Sequence, residues 1–357
     1  MKAIRYYGKE DVRLEDIPEP ELRPGTVKIS LAYNGICGSD LHLYFHGVMP
    51  PAPSADEPHP ISGETLPVVF GHEFSGTVDE VGEGVTKVKA GDRVAVEPFM
   101  VCGECPACKK GMYNLCEKMG FIGISGRGGG LAEKIVVEER WVHNVGDIPL
   151  DQAALIEPLS VGHHAVAHAG AAFGKAEGKV AVVGGAGPIG LLTAAVLKAY
   201  GVKTIVSEPS EIRREKLKEV GVADLIVNPA EEDLLEKVKG FTDGVLADFA
   251  FDCAGISAVA DQLLSVLTTG GHLEVVALHV HPFELDLMGA IMMPERSISA
   301  CIGYCNDHEP SIKLVQEGKV NLEPLITSKI TADRIVEDGY KRLQGNPGEV
   351  KILVSMK

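Results

Sequence analysis

The sequence lacks long apolar stretches, and basic residues are scarce relative to acidic ones. No uncharged apolar run reaches about 18 residues, which argues against a membrane-spanning helix. The segment from Met1 to Arg5 lacks the apolar core and cleavage site of a signal peptide, so we expect a cytoplasmic protein. With 34 Lys and Arg against 50 Asp and Glu, the net charge of −16 opposes non-specific binding to nucleic acid. Internal repeats and low-complexity segments are also missing.

The 357 residues are enough for two domains. Short β-prone runs punctuated by Gly and Pro dominate the first 150 residues, and Pro50 to Pro67 reads as a loop. Asp151 to Ala169 is predicted to be helical. From Lys179 to about Gly303, apolar strands alternate with helical segments, which predicts an α/β fold with a parallel sheet covered by helices on both faces.

A glycine motif follows the first strand of this alternating region. Gly185, Gly187 and Gly190 have the G-x-G-x-x-G spacing of a dinucleotide site, between a predicted strand and a predicted helix. The first glycine would allow the tight turn, the second the approach of the pyrophosphate, and the third close helix packing. Pro188 and Ile189 complete the motif and open the helix, whose free N–H groups suit phosphates.

An acidic residue, Glu208, ends the next strand. A carboxylate there can accept hydrogen bonds from both hydroxyls of the adenosine ribose and would repel a 2′-phosphate, which favours NAD over NADP. The alternative is a helix cap or a solvated acid before Ser210. Arg213 and Arg214 lie one turn further on and could contact a phosphate, but Glu208 argues against that.

Four of the eight cysteines lie within fifteen residues: Cys102, Cys105, Cys108 and Cys116. Without a signal peptide, such a cluster indicates a metal site more than a disulfide framework. Four thiolates suit a structural Zn²⁺ with no position left for substrate. The spacing alone leaves an iron–sulfur cluster open.

Three isolated residues could form a second metal site. Cys37, His72 and Glu157 offer a thiolate, an imidazole and a carboxylate, a set that could hold zinc and leave one position open for substrate. Each signal is weak by itself, because a buried cysteine is usually inert and a histidine after glycine is often a turn residue.

Together these pieces resemble the zinc-containing medium-chain dehydrogenase/reductase family, over the whole chain and in the family's order. The segments that carry the resemblance are Cys37-Gly38-Ser39-Asp40, Gly71-His72-Glu73, the four cysteines, Glu157-Pro158 and Gly185 to Gly190. Within the family the chain most resembles 2,3-butanediol dehydrogenases, which are acetoin or diacetyl reductases. This closer resemblance depends on His59 to Glu64, on the long loop between Cys37 and His72, and on Met119 to Gly123.

The resemblance implies a GroES-like catalytic domain, residues 1–152 completed by 303–357, and a Rossmann NAD-binding domain, residues 153–302. It also implies a structural zinc on the four cysteines and a catalytic zinc on Cys37, His72 and a glutamate. Polyol-type relatives can use the glutamate next to the histidine, here Glu73. We favour Glu157 as the third ligand and keep Glu73 as an alternate or exchanging one.

The implied activity is the zinc-dependent, NAD-linked interconversion of a secondary alcohol or vicinal diol and its ketone. Zinc would act as a Lewis acid on the substrate oxygen. Ser39 would take the hydroxyl proton, and His42 would pass it to solvent through the cofactor ribose. Relatives pair through the edge of the Rossmann sheet, here Ile298 to Ile302, so we expect a homodimer or homotetramer that binds a small alcohol or ketone and neither nucleic acid nor membrane.

The alternatives are a sorbitol-like polyol dehydrogenase, a threonine dehydrogenase and, from another class, a non-catalytic protein that binds zinc and NAD. The joint presence of Cys37, Ser39, His42 and His72 argues against the last. The remaining histidines of the predicted helix are expected to be packing or surface residues, because the helix lacks the glutamate of a metalloprotease motif. They are His163, His164 and His168.

Overall fold

The structure is a computed structural model that describes residues 1–279, 281–282 and 284–356. Its strands are β1 Lys2–Gly8, β2 Asp11–Asp16, β3 Thr26–Gly35, β4 Val68–Val69, β5 Glu73–Val81, β6 Arg93–Val96, β7 Phe99–Met100, β8 Gly120–Phe121, β9 Lys134–Glu138, β10 Val142–Asn144, β11 Val180–Gly184, β12 Lys203–Ser207, β13 Leu225–Val227, β14 Ala247–Asp252, β15 Leu267–Val275, β16 Ser297–Ala300, β17 Ile326–Thr331 and β18 Lys351–Ser355.

The α-helices are α1 Gly38–His46, α2 Pro106–Lys109, α3 Leu150–Ala153, α4 Ile156–His168, α5 Pro188–Ala199, α6 Glu211–Val220, α7 Leu234–Phe241, α8 Ser257–Ser265, α9 His308–Gln316 and α10 Arg342–Gly345. Two π-helical turns cover Leu287–Met292 and Ile335–Lys341. Within the described ranges, no helix is both long and apolar enough to cross a membrane.

The chain packs as two compact units, one formed by Met1–Glu157 with Leu325–Lys357 and the other by Pro158–Pro324. The domain limits predicted from the sequence, 152/153 and 302/303, stay predictions, because the limits of the packed units do not test them.

The first unit is built on a mainly antiparallel sheet with the strand order β10-β6-β5-β3-β18-β17, and β9 also pairs with β3. The register places Gly35 at the end of β3 opposite Glu73 of β5 on one side and Leu353 of β18 on the other. The segment that leads to Cys37, the start of β5 and the last strand are thereby brought together, although Lys351 of the last strand lies 278 residues after Glu73 in sequence.

The second unit contains a parallel sheet with the order β13-β12-β11-β14-β15-β16. Strand β11 is almost wholly apolar and buried, as a strand covered by helices on both faces requires. The sequence order reverses between β11 and β14, the position where open α/β sheets bind ligands at the carboxyl ends of their strands. The predicted α/β class with a parallel sheet is confirmed.

The sequence predicted one helix from Asp151 to Ala169, but the structure has two helices there, α3 and α4. Pro158 is the third residue of α4. A proline lacks the N–H that a helix interior needs but is tolerated in the first turn, so a helix has to begin just before it.

Candidate active site and metal centres

The side chains of Cys37, His72 and Glu73 lie close together at the N-terminal end of α1. Their ligand atoms all lie within 4.8 Å of one another, and both His72 and Glu73 are buried. Cys37 is the cap residue immediately before α1, and His72 follows Gly71, whose φ of 94° is the left-handed conformation that glycine adopts easily. A thiolate, an imidazole and a carboxylate at this separation form a donor set that fits zinc.

The two ring nitrogens of His72 face different partners. Nε2 lies 3.3 Å from Ser39 Oγ, whereas Nδ1 lies 3.4 Å from Asp40 Oδ1. The other oxygen of Asp40 accepts a hydrogen bond from the backbone N–H of Cys37 at 3.0 Å. A carboxylate behind a histidine is the usual arrangement around a metal-bound imidazole, where it fixes the orientation of the ring.

The surroundings of His72 favour a positive charge. Burial lowers its pKa, but the negative charges of Asp40 and Cys37 outweigh burial and raise the pKa well above 6.5. Atoms Nδ1 of His72 and Oδ1 of Asp40 are buried without a hydrogen-bond partner of good geometry among the described residues. This excess of negative charge is what a divalent cation at the site would neutralise.

Glu73 is held by a buried cation. Lys351 Nζ lies 2.7 and 2.6 Å from its two carboxylate oxygens and 3.2 Å from the carbonyl oxygen of Ile36. Burial lowers the pKa of Lys351, yet the charges of Glu73 and Cys37 raise it overall, so the lysine stays protonated. Glu73 would therefore have to share its charge between Lys351 and any metal ion.

Glu157, the favoured third ligand, lies in the first turn of α4 and is buried. It stands outside the group formed by Cys37, His72 and Glu73. Its charge nevertheless acts on Lys351 and helps to raise the pKa of the lysine, so it belongs to the same buried charge cluster. The choice between Glu157 and Glu73 as third ligand remains a prediction.

His42 lies one turn after Ser39 on α1, and its ring is 4.9 Å from that of His46. The side chain is exposed. An exposed histidine close in sequence to the partly buried hydroxyl of Ser39 suits a relay to solvent, and this role also remains a prediction.

The four clustered cysteines, Cys102, Cys105, Cys108 and Cys116, come together, with their sulfur atoms within 4.8 Å of one another. Sγ of Cys102 lies 4.0 Å from that of Cys108 and 3.5 Å from that of Cys116. A tetrahedron with Zn–S bonds of about 2.3 Å has edges of about 3.8 Å, so these separations fit zinc.

Backbone N–H groups donate hydrogen bonds to the sulfur atoms of this four-cysteine cluster. The N–H groups of Cys102, Cys105 and Cys108 donate to the sulfurs of Cys116, Cys102 and Cys105 at 3.3, 3.4 and 3.5 Å. Hydrogen bonds from the backbone at Cys108 and Glu117 lower the pKa of the Cys105 thiol to about 6. These donors stabilise the thiolate of Cys105, the form that binds metal, whereas burial raises the pKa of the Cys108 thiol to about 12.

The glycine motif has the predicted form. Gly185 has a φ of 94°, Gly187 is the residue before α5, and Pro188 occupies the first turn. A Cβ on Gly190 would approach the carbonyl oxygen of Gly185 to 2.0 Å, so a side chain there would force the helix off the strand.

The side chain of Glu208 contacts this glycine motif. Its Oε2 accepts a hydrogen bond from the backbone N–H of Ala186 at 2.7 Å, and Oε1 accepts one from Ser210 at 2.8 Å. The residue is buried, and Arg213 Nη1 lies 3.9 Å from Oε2. The carboxylate is thus held beside the glycine motif, and its contact with a ribose remains a prediction.

The histidines of α4 pair with buried carboxylates. Nδ1 of His163 and Nδ1 of His164 lie 2.7 and 2.8 Å from the two oxygens of Asp307. His168 Nδ1 lies 3.1 Å from both oxygens of Glu274. These contacts with carboxylates suit a packing role, which stays a prediction.

Sequence reasoning assigned no role to Asp40 or Lys351. The signal for Asp40 was its position three residues after Cys37, where an acid at the start of a helix can bond the preceding backbone N–H. The signal for Lys351 was a lone charge inside the apolar strand that ends the chain, since a buried charge needs a partner.

Comparisons with known proteins agree with this geometry. Residues 23–147 match the family described as the alcohol dehydrogenase GroES-like domain, and residues 188–317 match the zinc-binding dehydrogenase family. The chain is 51% identical to the (R,R)-butanediol dehydrogenase of Neisseria gonorrhoeae, with 99% of both chains covered. It is 35% identical to the L-threonine 3-dehydrogenase of Pyrococcus abyssi, over 99% of this chain and 97% of that protein.

Among solved structures, the 2R,3R-butanediol dehydrogenase of Bacillus subtilis superimposes with a TM-score of 0.91 at 38% identity, covering 100% of this chain and 99% of that one. This chain belongs to the zinc-binding alcohol dehydrogenase family. It is an oxidoreductase that uses zinc and a nicotinamide dinucleotide, and the resemblance inferred from the motifs is confirmed.

Proposed function

We propose that the chain interconverts 2,3-butanediol and acetoin with NAD as the hydride carrier, and that it also reduces diacetyl. The observation that carries this proposal is the 51% identity to an (R,R)-butanediol dehydrogenase over 99% of both chains. Threonine 3-dehydrogenases cover the chain equally well, but the one from Pyrococcus abyssi reaches only 35% identity.

The site residues support alcohol chemistry. Zinc held by Cys37, His72 and a glutamate would supply Lewis acidity for the substrate oxygen. Ser39 Oγ lies 3.3 Å from His72 Nε2, the ring nitrogen turned away from Asp40, so its hydroxyl stands on the side where the substrate oxygen would bind. In our proposal Ser39 accepts the substrate hydroxyl proton as it gives up its own, and the exposed His42 passes that released proton on to solvent.

The cofactor half of the proposal depends on the glycine motif and Glu208. Gly187 has open space around it at the start of α5, where the pyrophosphate would lie. Gly185 permits the tight turn and Gly190 the close packing of the helix, with Pro188 and Ile189 in its first turn. Glu208 favours an unphosphorylated ribose, so we propose NAD rather than NADP. Arg213, at 3.9 Å from the carboxylate, neutralises part of its charge.

The test is the rate of NADH formation with the separate stereoisomers of 2,3-butanediol, with sorbitol and with threonine, and of NADH consumption with acetoin and diacetyl. We expect turnover of one butanediol stereoisomer and of acetoin at the highest kcat/KM. The highest kcat/KM for threonine or sorbitol would replace our proposal with the corresponding dehydrogenase. Absence of turnover with every substrate, from a protein that binds zinc and NADH, would favour a non-catalytic binding protein.

For the assembly we propose a homodimer or homotetramer, located in the cytoplasm. Strand β16 ends the parallel sheet, and an edge strand offers unpaired backbone groups to a second copy. The segment around it exposes large apolar side chains, which are Leu278, Leu287, Met288, Met292, Met293, Ile298 and Ile302. Sedimentation of the unaltered protein and of Ile298→Pro tests this: the variant should sediment as a smaller species, and a monomeric unaltered protein would contradict the proposal.

A further inference from the structure

Three buried polar atoms behind the candidate zinc site have no hydrogen-bond partner among the described residues. They are the hydroxyl of Tyr340, Oδ1 of Asp40 and Nδ1 of His72. Tyr340 is 0% exposed and Asp40 1% exposed, so bulk water does not reach them. A buried polar group that stays unsatisfied destabilises the fold, so this group of atoms calls for an explanation.

The fold places Tyr340 against the face of α1 that carries Asp40. Asp40 and Tyr44 are one turn apart on this helix and therefore share a face. The ring of Tyr340 packs on that of Tyr44 with 4.9 Å between centroids. Burial raises the pKa of Tyr340 well above 10, and the charge of Asp40 adds to this effect, so the hydroxyl keeps its proton and can only approach the carboxylate as a donor.

The backbone around Tyr340 is also specialised. Tyr340 lies in the π-helical turn Ile335–Lys341, a distortion that is frequent at functional sites. A Cβ on the preceding Gly339 would meet Cδ1 of Ile36 at 2.7 Å. The turn thus packs directly against the segment that leads into Cys37, and glycine permits that approach.

We propose that Tyr340 is a positioning residue for the catalytic zinc, acting through one buried water molecule that accepts a hydrogen bond from its hydroxyl and donates one to Asp40 Oδ1. Buried water usually bridges polar groups that would otherwise be unsatisfied. With Oδ2 held by the backbone N–H of Cys37 and Oδ1 held by this water, the carboxylate is fixed behind His72. The imidazole then presents its other nitrogen to the metal in one orientation.

The consequence is a specific effect on metal retention. Changing a partner of a metal-binding histidine typically costs 10–100-fold in metal affinity. Tyr340 acts one step further out, so we expect its hydroxyl to contribute about the lower end of that range. The four-cysteine zinc lies elsewhere in the first unit, has its own ligands and should not respond, so each protein carries an internal control.

The experiment compares Tyr340→Phe with Tyr6→Phe. Tyr6 is 0% exposed and belongs to the same apolar cluster, but its hydroxyl donates to the carbonyl oxygen of Leu43 at 2.8 Å. Both changes remove one buried oxygen and keep the ring. Zinc release to a chelator, and the visible spectrum after cobalt replaces the catalytic zinc, report the metal site without any substrate.

We expect Tyr340→Phe to release one of its two zincs about tenfold faster and to shift the cobalt spectrum. Tyr6→Phe should match the unaltered protein in both measurements, even if its thermal stability falls. Equal release from Tyr340→Phe and the unaltered protein, or equal acceleration in both variants, would overturn the inference. The inference rests on the assignment of a catalytic zinc to Cys37 and His72, so an unaltered protein with one zinc per chain would overturn that assignment as well, whereas two zincs with unchanged release overturn the role of Tyr340 alone.

Discussion

Lys351 and Glu73 form a buried ion pair, in which the lysine nitrogen lies 2.6–2.7 Å from both carboxylate oxygens and the side chains are 4% and 1% exposed. The pair joins the last strand of the chain to the strand that begins next to His72. Removing one partner of such a pair leaves an uncompensated charge in a medium that solvates it poorly, whereas removing both can be nearly neutral.

We predict that Lys351→Met lowers the free energy of unfolding by about 3–5 kcal/mol, because Glu73 then remains buried and unpaired. The double variant Lys351→Met/Glu73→Gln should recover most of that loss. Urea denaturation of the single and double variants measures both values. A loss below about 1 kcal/mol in the single variant, which is the range of exposed pairs, would show that the pair is open to water.

The same pair bears on the third zinc ligand. Both oxygens of Glu73 are bonded by Lys351, so we predict that Glu157→Gln weakens the catalytic zinc more than Glu73→Gln does. A carboxylate supplies a negative charge to the metal that an amide does not. The measurement is zinc content after titration with a chelator, under conditions where circular dichroism shows both variants folded.

Glu73→Gln should lose stability instead, because it leaves Lys351 without its counter-charge. The opposite ranking of zinc affinities would move the third ligand from Glu157 to Glu73. Equal losses in the two variants would mean that both carboxylates share the metal.

The metal and cofactor sites that could be predicted from the sequence are those whose residues lie close together along the chain. The four cysteines lie within fifteen residues, and the glycine motif lies between a strand and a helix, so short-range geometry determines both sites.

The pairing of Lys351 with Glu73, which are 278 residues apart, depends on the register of β18 and β5 around β3. Hydrophobic periodicity indicates that these strands exist but does not specify which residues oppose one another. The role that we propose for Tyr340 could not be predicted from the sequence either, because it depends on a π-helical turn and on a hydroxyl in an otherwise apolar cluster.

Two zincs with separate roles should be separable by mutation. We predict that Cys105→Ser loses one zinc per chain and lowers the melting temperature, because a structural zinc site contributes directly to folding. Cys37→Ser should lose the other zinc and the activity while it keeps the fold. Metal analysis, calorimetry and turnover check this, and full turnover by Cys37→Ser would contradict the catalytic assignment.

Acid should lower the stability of the second unit, because it protonates Asp307. Burial opposes ionisation of this carboxyl, but the hydrogen bonds from His163 and His164 prevail and lower its pKa from 3.8 to about 2. A carboxyl whose pKa is lower in the folded state stabilises the fold above its unfolded pKa, and this stabilisation is lost as the pH falls through the folded value. We therefore expect about 2 kcal/mol of stability to disappear between about pH 4 and pH 2.

The matched variant is Asp307→Asn, which keeps the shape of the side chain and removes the titration. Its stability deficit relative to the unaltered protein should be present at pH 5 and shrink as the pH approaches 2. A deficit that stays constant over this range would show that Asp307 acts through shape and hydrogen bonding and not through its charge.

Cofactor choice should depend on Glu208. Its oxygens already accept hydrogen bonds from the backbone N–H groups of Ala186 and Ser210, so the carboxylate cannot swing away when a ribose approaches. Hydrogen bonds from ribose hydroxyls to a charged group are worth about 1.5–3 kcal/mol. A 2′-phosphate would instead bring negative charge close to the carboxylate, and unit charges at about 4 Å repel by about 4 kcal/mol at an effective dielectric constant of 20.

Even half of that repulsion, added to the lost hydrogen bonds, gives a preference for NAD of about a hundredfold or more, since about 1.4 kcal/mol is a factor of ten. Glu208→Ser should narrow the preference, because it weakens NAD and removes the repulsion toward NADP. Arg213 is already 3.9 Å from Glu208 and is positioned to meet the added phosphate in that variant, so the double variant Glu208→Ser/Arg213→Ala should lose part of the gain with NADP. The measurement is kcat/KM with both cofactors for the three proteins. An unaltered enzyme that used NADP as well as NAD, or a ratio left unchanged by Glu208→Ser, would show that another residue selects the ribose.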